Sequence, residues 1–262
     1  MTNKLILKER NKLKYFIGNW KMFGDFNSFK IIKKIEQFYT KFRKNHKNSK
    51  IILCVPNILI SFFKGKLSSK IILLGAQNCS QHKNQGPFTG SVSASMLKKA
   101  GAEFVILGHS ENRIEGESPQ LIKKKIESAL SENLNVIFCI GETALEKKQG
   151  RTFSVLRNQI EKSIGKNFNL DKIIIAYEPV WSIGTGQTPK RNDFIKTTAY
   201  IKDFFTKKFK IKKIPKVLYG GSVNDQNIKV LSIWAAFMDG FLIGGASQSS
   251  KKFIDIMKNY YK

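Results

Sequence analysis

The hydrophobic positions of this chain fall into two alternating kinds of segment. One kind is short and apolar, at residues 15–18, 51–55, 71–74, 104–107, 136–140, 173–177, 217–219 and 241–243. Each run has strand length and is rich in β-branched or aromatic residues. Most lack the apolar–polar alternation of a half-exposed strand, as parallel strands covered on both faces do. The other kind is lysine-rich with helical spacing. Ile31, Ile32, Ile35, Phe38, Tyr39 and Phe42 form one apolar stripe, and Leu121, Ile122, Ile126, Ala129 and Leu130 form another. Ser118 before Pro119 reads as an N-cap followed by a first-turn proline.

Eight strands interleaved with helical or loop segments are the count of an α/β fold of the (β/α)8 barrel type. The 262 residues suit a barrel of about 250 residues, with roughly 33 residues for each βα unit. An open doubly wound sheet is the alternative. No linker or second core is visible. Residues 14–262 therefore read as one barrel domain, and residues 1–13 as a basic N-terminal arm, disordered or loosely docked.

Charge adds a second question. The chain carries 46 basic and 19 acidic residues, a formal net charge of +27. Such an excess raises the prospect of nucleic-acid binding. Only six of the basic residues are arginine (Arg10, Arg43, Arg113, Arg151, Arg157 and Arg191), and the lysines are scattered. Arginine is the better fork for phosphates and bases. Lysine, isoleucine, asparagine and phenylalanine are abundant together, the set that AT-rich codons favour. Compositional drift thus accounts for the charge, and no specific nucleic-acid partner is expected. A positive surface still attracts an anionic substrate.

The start of the chain has only Leu5-Ile6-Leu7 as an apolar run, too short for an export signal. No stretch approaches the roughly 18 apolar residues of a membrane span. Cys54, Cys79 and Cys139 lack metal-ligand spacing and read as reduced thiols. The expectation is a cytoplasmic chain without membrane attachment.

A barrel of this kind places chemistry just after its strands. Polar and glycine-rich clusters fall there: Asn19-Trp20-Lys21, Gln77-Asn78, Gly108-His109-Ser110-Glu111, Glu178-Pro179, Gly220-Gly221-Ser222 and Gly244-Gly245. Glu178 ends an apolar strand, and residues 179–189 carry prolines near both ends and glycines in the second half. That composition suits a lid able to exclude water and raise the basicity of a carboxylate beneath it. A helical turn beginning at His109 would aim backbone N–H groups at the imidazole and favour its neutral form. Lys21 can hold an anion and polarise an oxygen. The glycines after the last two strands suit a phosphate, whose oxygens backbone N–H groups reach unhindered. Taken singly, each residue has an ordinary reading as a surface charge, a core histidine or a turn glycine.

Taken together, the motifs resemble one family. Gly18-Asn19-Trp20-Lys21-Met22, Ala76-Gln77-Asn78, Phe88-Thr89-Gly90, Gly108-His109-Ser110-Glu111, Cys139-Ile140-Gly141-Glu142, Ala176-Tyr177-Glu178-Pro179-Val180-Trp181, Ile183-Gly184-Thr185-Gly186, Tyr219-Gly220-Gly221-Ser222 and Gly244-Gly245-Ala246-Ser247 are similar to triosephosphate isomerase motifs, in the same order over nearly the whole chain. The resemblance implies the TIM barrel and interconversion of dihydroxyacetone phosphate and glyceraldehyde 3-phosphate, in glycolysis and gluconeogenesis, with no metal or organic cofactor. It implies Glu178 as the base, His109 as the neutral electrophile, Asn19 and Lys21 as substrate binders and Glu111 as a supporting acid. Gly184, Ser222, Gly244 and Gly245 would hold the phosphate. The glutamate–histidine pairing and the closing loop also come with the resemblance. So does a homodimer, formed through the loop at residues 79–90. Three positions depart from the pattern. Ser91 stands where glutamate is usual, Asn112 where arginine is usual, and Gln187-Thr188-Pro189 end the lid where a lysine and a small residue are usual. The first two remove an expected interface ion pair together. The third bears on lid kinetics.

Overall fold

A computed structural model describes residues 12–46, 48–211 and 213–261. Eight parallel strands close into a barrel in sequence order. They are β1 (Lys14–Asn19), β2 (Ser49–Cys54), β3 (Ile72–Ala76), β4 (Phe104–Leu107), β5 (Asn135–Ile140), β6 (Ile173–Tyr177), β7 (Lys216–Tyr219) and β8 (Gly240–Ile243). β1 pairs with both β2 and β8, and closes the ring. Every expected strand is present. The third begins one residue later than its apolar run and continues to Ala76, because Leu74-Gly75-Ala76 pack between β2 and β4.

The main helices are α1 (Phe29–Lys41), α2 (Asn57–Lys66), α3 (Ala94–Lys99), α4 (Pro119–Ser131), α5 (Thr152–Ser163), α6 (Arg191–Phe209), α7 (Ile228–Ser232) and α8 (Ser250–Tyr261). In α1, Ile32, Ile35, Phe38 and Tyr39 are buried, whereas Phe42 lies past the helix end and is exposed. The Ser118 hydroxyl accepts from the Leu121 N–H and caps α4, with Pro119 in the first turn.

Two layers of core follow from the strand period of two. Ile17, Ile52, Ile106, Ile137, Ile174, Leu218 and Leu242 fill the barrel interior. Phe16, Leu53, Val105, Phe138, Ile175, Tyr219 and Ile243 face the helices instead. Both faces of each strand are therefore covered, which explains the continuous apolar runs. The alternation also aims the strand ends. In β1, Ile17 points inward, so Asn19 does too. In β6, Ile174 and Ala176 point inward, so the next inward position beyond the strand is Glu178.

Two lysines do not behave as solvated surface charges. Lys14 is buried, and its Nζ donates to the carbonyls of Ala235 at 2.6 Å and Met238 at 2.7 Å. Lys125 on α4 is buried against Glu117 and Asn78. Of the arm expected over residues 1–13, positions 1–11 lie outside the described residues. All three cysteines are buried and free, and burial pushes the Cys79 thiol up to about 12. No described helix is long and apolar enough to cross a membrane.

Candidate active site

A cavity of about 250 Å³ opens at the C-terminal ends of the strands. Asn19, Lys21, His109, Glu178, Gly184, Ser222, Gly244 and Gly245 all line it. Glu111 does not. It faces a neighbouring cavity shared by Asn19, Lys21 and His109, and reaches the site by pairing with Lys21, Nζ to Oε1, at 2.5 Å.

Glu178 leaves β6 into a crowded corner. Its N–H donates to the Ile140 carbonyl at 2.8 Å. A Cβ on Gly141 would fall 1.8 Å from the Glu178 carbonyl oxygen, and one on Gly220 would fall 2.6 Å from Glu178 Cγ. Those two glycines leave the room in which the carboxylate sits. The side chain is almost wholly buried, with Oε1 3.5 Å from His109 Nε2. Burial raises the Glu178 carboxyl above the ordinary range, while His109, the Cys139 thiol and Lys21 pull the other way. Raised basicity is what a carboxylate needs in order to take a proton from carbon.

His109 follows Gly108, whose φ of 70° turns the chain out of β4. It caps a short helix, Ser110–Ile114, and its Nδ1 accepts the Glu111 N–H at 3.2 Å. An imidazole that accepts at Nδ1 carries its proton on Nε2. The expected helical turn and its backbone N–H are both present. The ring therefore presents an N–H donor toward Glu178 and the cavity.

Lys21 has a φ of 55°, in the left-handed region that favours glycine. Its own N–H donates to Asn19 Oδ1 at 3.1 Å. A non-glycine residue held there costs on the order of 1–3 kcal/mol and occurs preferentially at working sites. The strain turns the lysine across the mouth of the cavity, where it meets Glu111.

Residues 179–189, the segment expected to be a lid, follow Glu178 directly. Its tryptophan is held away from the cavity: Trp181 Nε1 donates to Glu142 Oε1 at 3.0 Å, and Lys147 Nζ lies 3.5 Å from the ring centroid. Tyr177 donates to the same carboxylate. Glu142 is buried, and burial raises its carboxyl against the opposing pull of Trp181 and Tyr177. Ile183 and Gly184 line the cavity from this side, and Gly184 and Gly186 have positive φ. Ser182, at the base of the lid, is fully buried.

The far end of the cavity is lined by Gly220, Gly221, Ser222, Gly244 and Gly245, with Asn224, Asp225 and Lys252 beyond. Side-chain bulk is nearly absent there, so an anion can meet backbone directly.

Residues 14–260 match the family model for triosephosphate isomerase. The chain belongs to the triosephosphate isomerase family. The triosephosphate isomerase of Aquifex aeolicus is 39% identical over 249 residues, covering 93% of this chain and 98% of that protein. That of Bartonella henselae is 38% identical over 252 residues, covering 95% and 97%. The crystal structure of triosephosphate isomerase from Bartonella henselae superposes with a TM-score of 0.84 at 35% identity, covering 95% of this chain and 99% of that one. The family consists of aldose–ketose isomerases, and this chain is an enzyme of that class.

Several residues beside the site carry little signal in the sequence. Glu142 was visible only as part of a motif. Arg113 donates from Nε to the Gly108 carbonyl at 2.7 Å and from Nη2 to the Cys139 carbonyl at 3.1 Å, tying the end of β4 to β5. Lys252 and Ser182 gave no signal, because nothing local marks a residue that meets the site from α8 or from beneath a lid.

Proposed function

We propose that the cavity binds a triose phosphate and isomerises it by proton transfer. The phosphate lies against Ser222, Gly244 and Gly245, with Gly184 approaching from the lid. The carbonyl end lies between Lys21, Asn19 and His109. Glu178 removes a proton from the carbon next to the carbonyl. His109 Nε2–H and Lys21 Nζ stabilise the negative charge that develops on oxygen, giving an enediolate. Glu178 then returns the proton to the neighbouring carbon. The hydroxyl proton passes from one substrate oxygen to the other as well: His109 Nε2–H gives its proton to the former carbonyl oxygen and takes one from the former hydroxyl, so carboxyl and imidazole both end as they began. The lid excludes water while the enediolate exists and protects it from loss of phosphate.

The observation that carries this reading is the buried carboxylate of Glu178 facing an Nε2–H donor across a cavity that ends in glycine backbone. A base alone would suit many reactions. A base, an electrophile and an anion cradle at these distances suit a small phosphorylated carbonyl compound. A coupled assay that follows conversion of dihydroxyacetone phosphate tests it. Turnover supports the reading, and its absence in folded protein defeats it.

The homodimer belongs to the same reading. Met22, Phe88 and Ile114 are exposed apolar side chains on the loops after β1, β3 and β4. Beside them lies a polar cavity lined by Asn57, Gln77, Asn78, Glu111 and Asn112. A second copy inserting its loop of residues 79–90 would cover both. Within the chain, that loop is stiffened by His82 stacked on Phe88 at 3.5 Å.

A further inference from the structure

Ser182 stands where the two hinges of the lid meet the phosphate-side loop. Its Oγ lies 2.5 Å from the Gln187 carbonyl, 3.0 Å from the Tyr219 hydroxyl and 3.3 Å from the Ser222 N. A hydroxyl has one proton to give and two lone pairs. The carbonyl can only accept and the N–H can only donate, so the assignment is forced. Ser182 donates to Gln187 and accepts from Ser222, and its remaining lone pair takes the Tyr219 O–H. Every hydrogen-bonding position of a buried hydroxyl is filled. The loop is shaped around it: a Cβ on Gly221 would fall 2.5 Å from Ser182 Oγ and 2.4 Å from the Tyr219 oxygen.

The bond to Ser222 has a consequence for binding. Ser222 lines the glycine end of the cavity, where the proposed function puts the phosphate. Its N–H is already engaged by the lid. We propose that Ser182 is a positioning residue that sets phosphate affinity, its hydroxyl holding the Ser222 N–H until an incoming phosphate takes that donor. The inference rests on the phosphate reading of this cavity. When the phosphate arrives, Ser182 loses one of three bonds, and the lid base is loosened at the moment it must move. The hydroxyl thereby links substrate arrival to lid release at the expense of some affinity.

Titration calorimetry with inorganic phosphate tests this on the full chain, with thermal unfolding measured alongside. In Ser182→Ala the Ser222 N–H is no longer engaged, so phosphate should bind about two- to tenfold more tightly, the worth of one hydrogen bond. A merely structural role predicts the opposite, since a loosened loop binds no better. Tyr219→Phe leaves the Ser182–Ser222 bond in place and should not tighten phosphate binding. Unchanged or weaker binding by Ser182→Ala, or equal tightening in both variants, overturns the latch while leaving the phosphate site intact. Absence of phosphate binding by the unaltered chain overturns the phosphate reading and the latch with it.

Discussion

Nε2 of His109 lies 3.5 Å from Oε1 of Glu178, and both side chains are buried. Neither residue is held by the other. Glu178 is fixed by the backbone of β6 and by the two glycines that make room for it. His109 is fixed by the Glu111 N–H on its far nitrogen. Acid–base partners placed by separate supports can both face a substrate between them without collapsing into a closed ion pair.

The raised carboxyl of Glu178 sets the pH response. In the proposed mechanism Glu178 works only when ionised, so kcat/KM should fall as pH drops through its pKa, and that limb should lie above the ordinary carboxylate range. A pH–rate profile checks it. A limb at the ordinary position for a solvated glutamate contradicts the burial argument.

The same shift bears on stability, with the opposite sign. A carboxyl whose pKa is raised by folding contributes stability below its unfolded pKa and loses it as pH rises through the folded pKa. At neutral pH the ionised group therefore strains the fold. Glu178→Gln should raise the melting temperature at pH 7.5 while abolishing turnover, and the gain should vanish in acid. A lower melting temperature at pH 7.5 would show that the carboxylate is well compensated.

Lys125 on α4 and Glu117 just before it form a largely buried pair, completed by Asn78 from the loop after β3. Removing one partner of such a pair typically costs about 3–5 kcal/mol, because a charge is stranded. Lys125→Met alone and Glu117→Gln alone should each destabilise on that scale in urea, and the double variant should recover most of the loss. Additive losses would show that the two do not act as a unit.

Lys252 lines the cavity from α8, at the end where the phosphate is proposed to bind. Its charge should aid ground state and transition state alike. Lys252→Ala is expected to raise KM several-fold with kcat little changed, and the difference should shrink with added salt. A fall in kcat at constant KM would place Lys252 in the chemical step instead.

The fold was legible because barrel strands are buried on both faces and so read as unbroken apolar runs. The site was legible because strand ends carry it: Asn19, His109 and Glu178 each follow an apolar run within two residues. What stayed hidden was set by distant pairing. Lys125 looks like any helix lysine until Glu117 and Asn78 surround it. Lys14, just ahead of the first apolar run, reads as a solvated charge until the carbonyls of Ala235 and Met238 reach it across more than two hundred residues. Ser182 is one serine among many until Tyr219 and Ser222 close on it. Glu111 enters the expected site through the family resemblance, and its side chain turns to Lys21 beside the main cavity.

The most direct measurement follows dihydroxyacetone phosphate by proton NMR in deuterium oxide with the purified chain. Proton transfer by Glu178 through an enediolate predicts glyceraldehyde 3-phosphate, with solvent deuterium on the carbon next to the carbonyl in the share of turnovers where the carboxyl exchanges its proton before returning it. In Glu178→Asp the carboxylate retreats by roughly 1 Å, and the rate should fall about 100-fold with the fold intact. No product, or an undiminished rate in Glu178→Asp, would contradict the account.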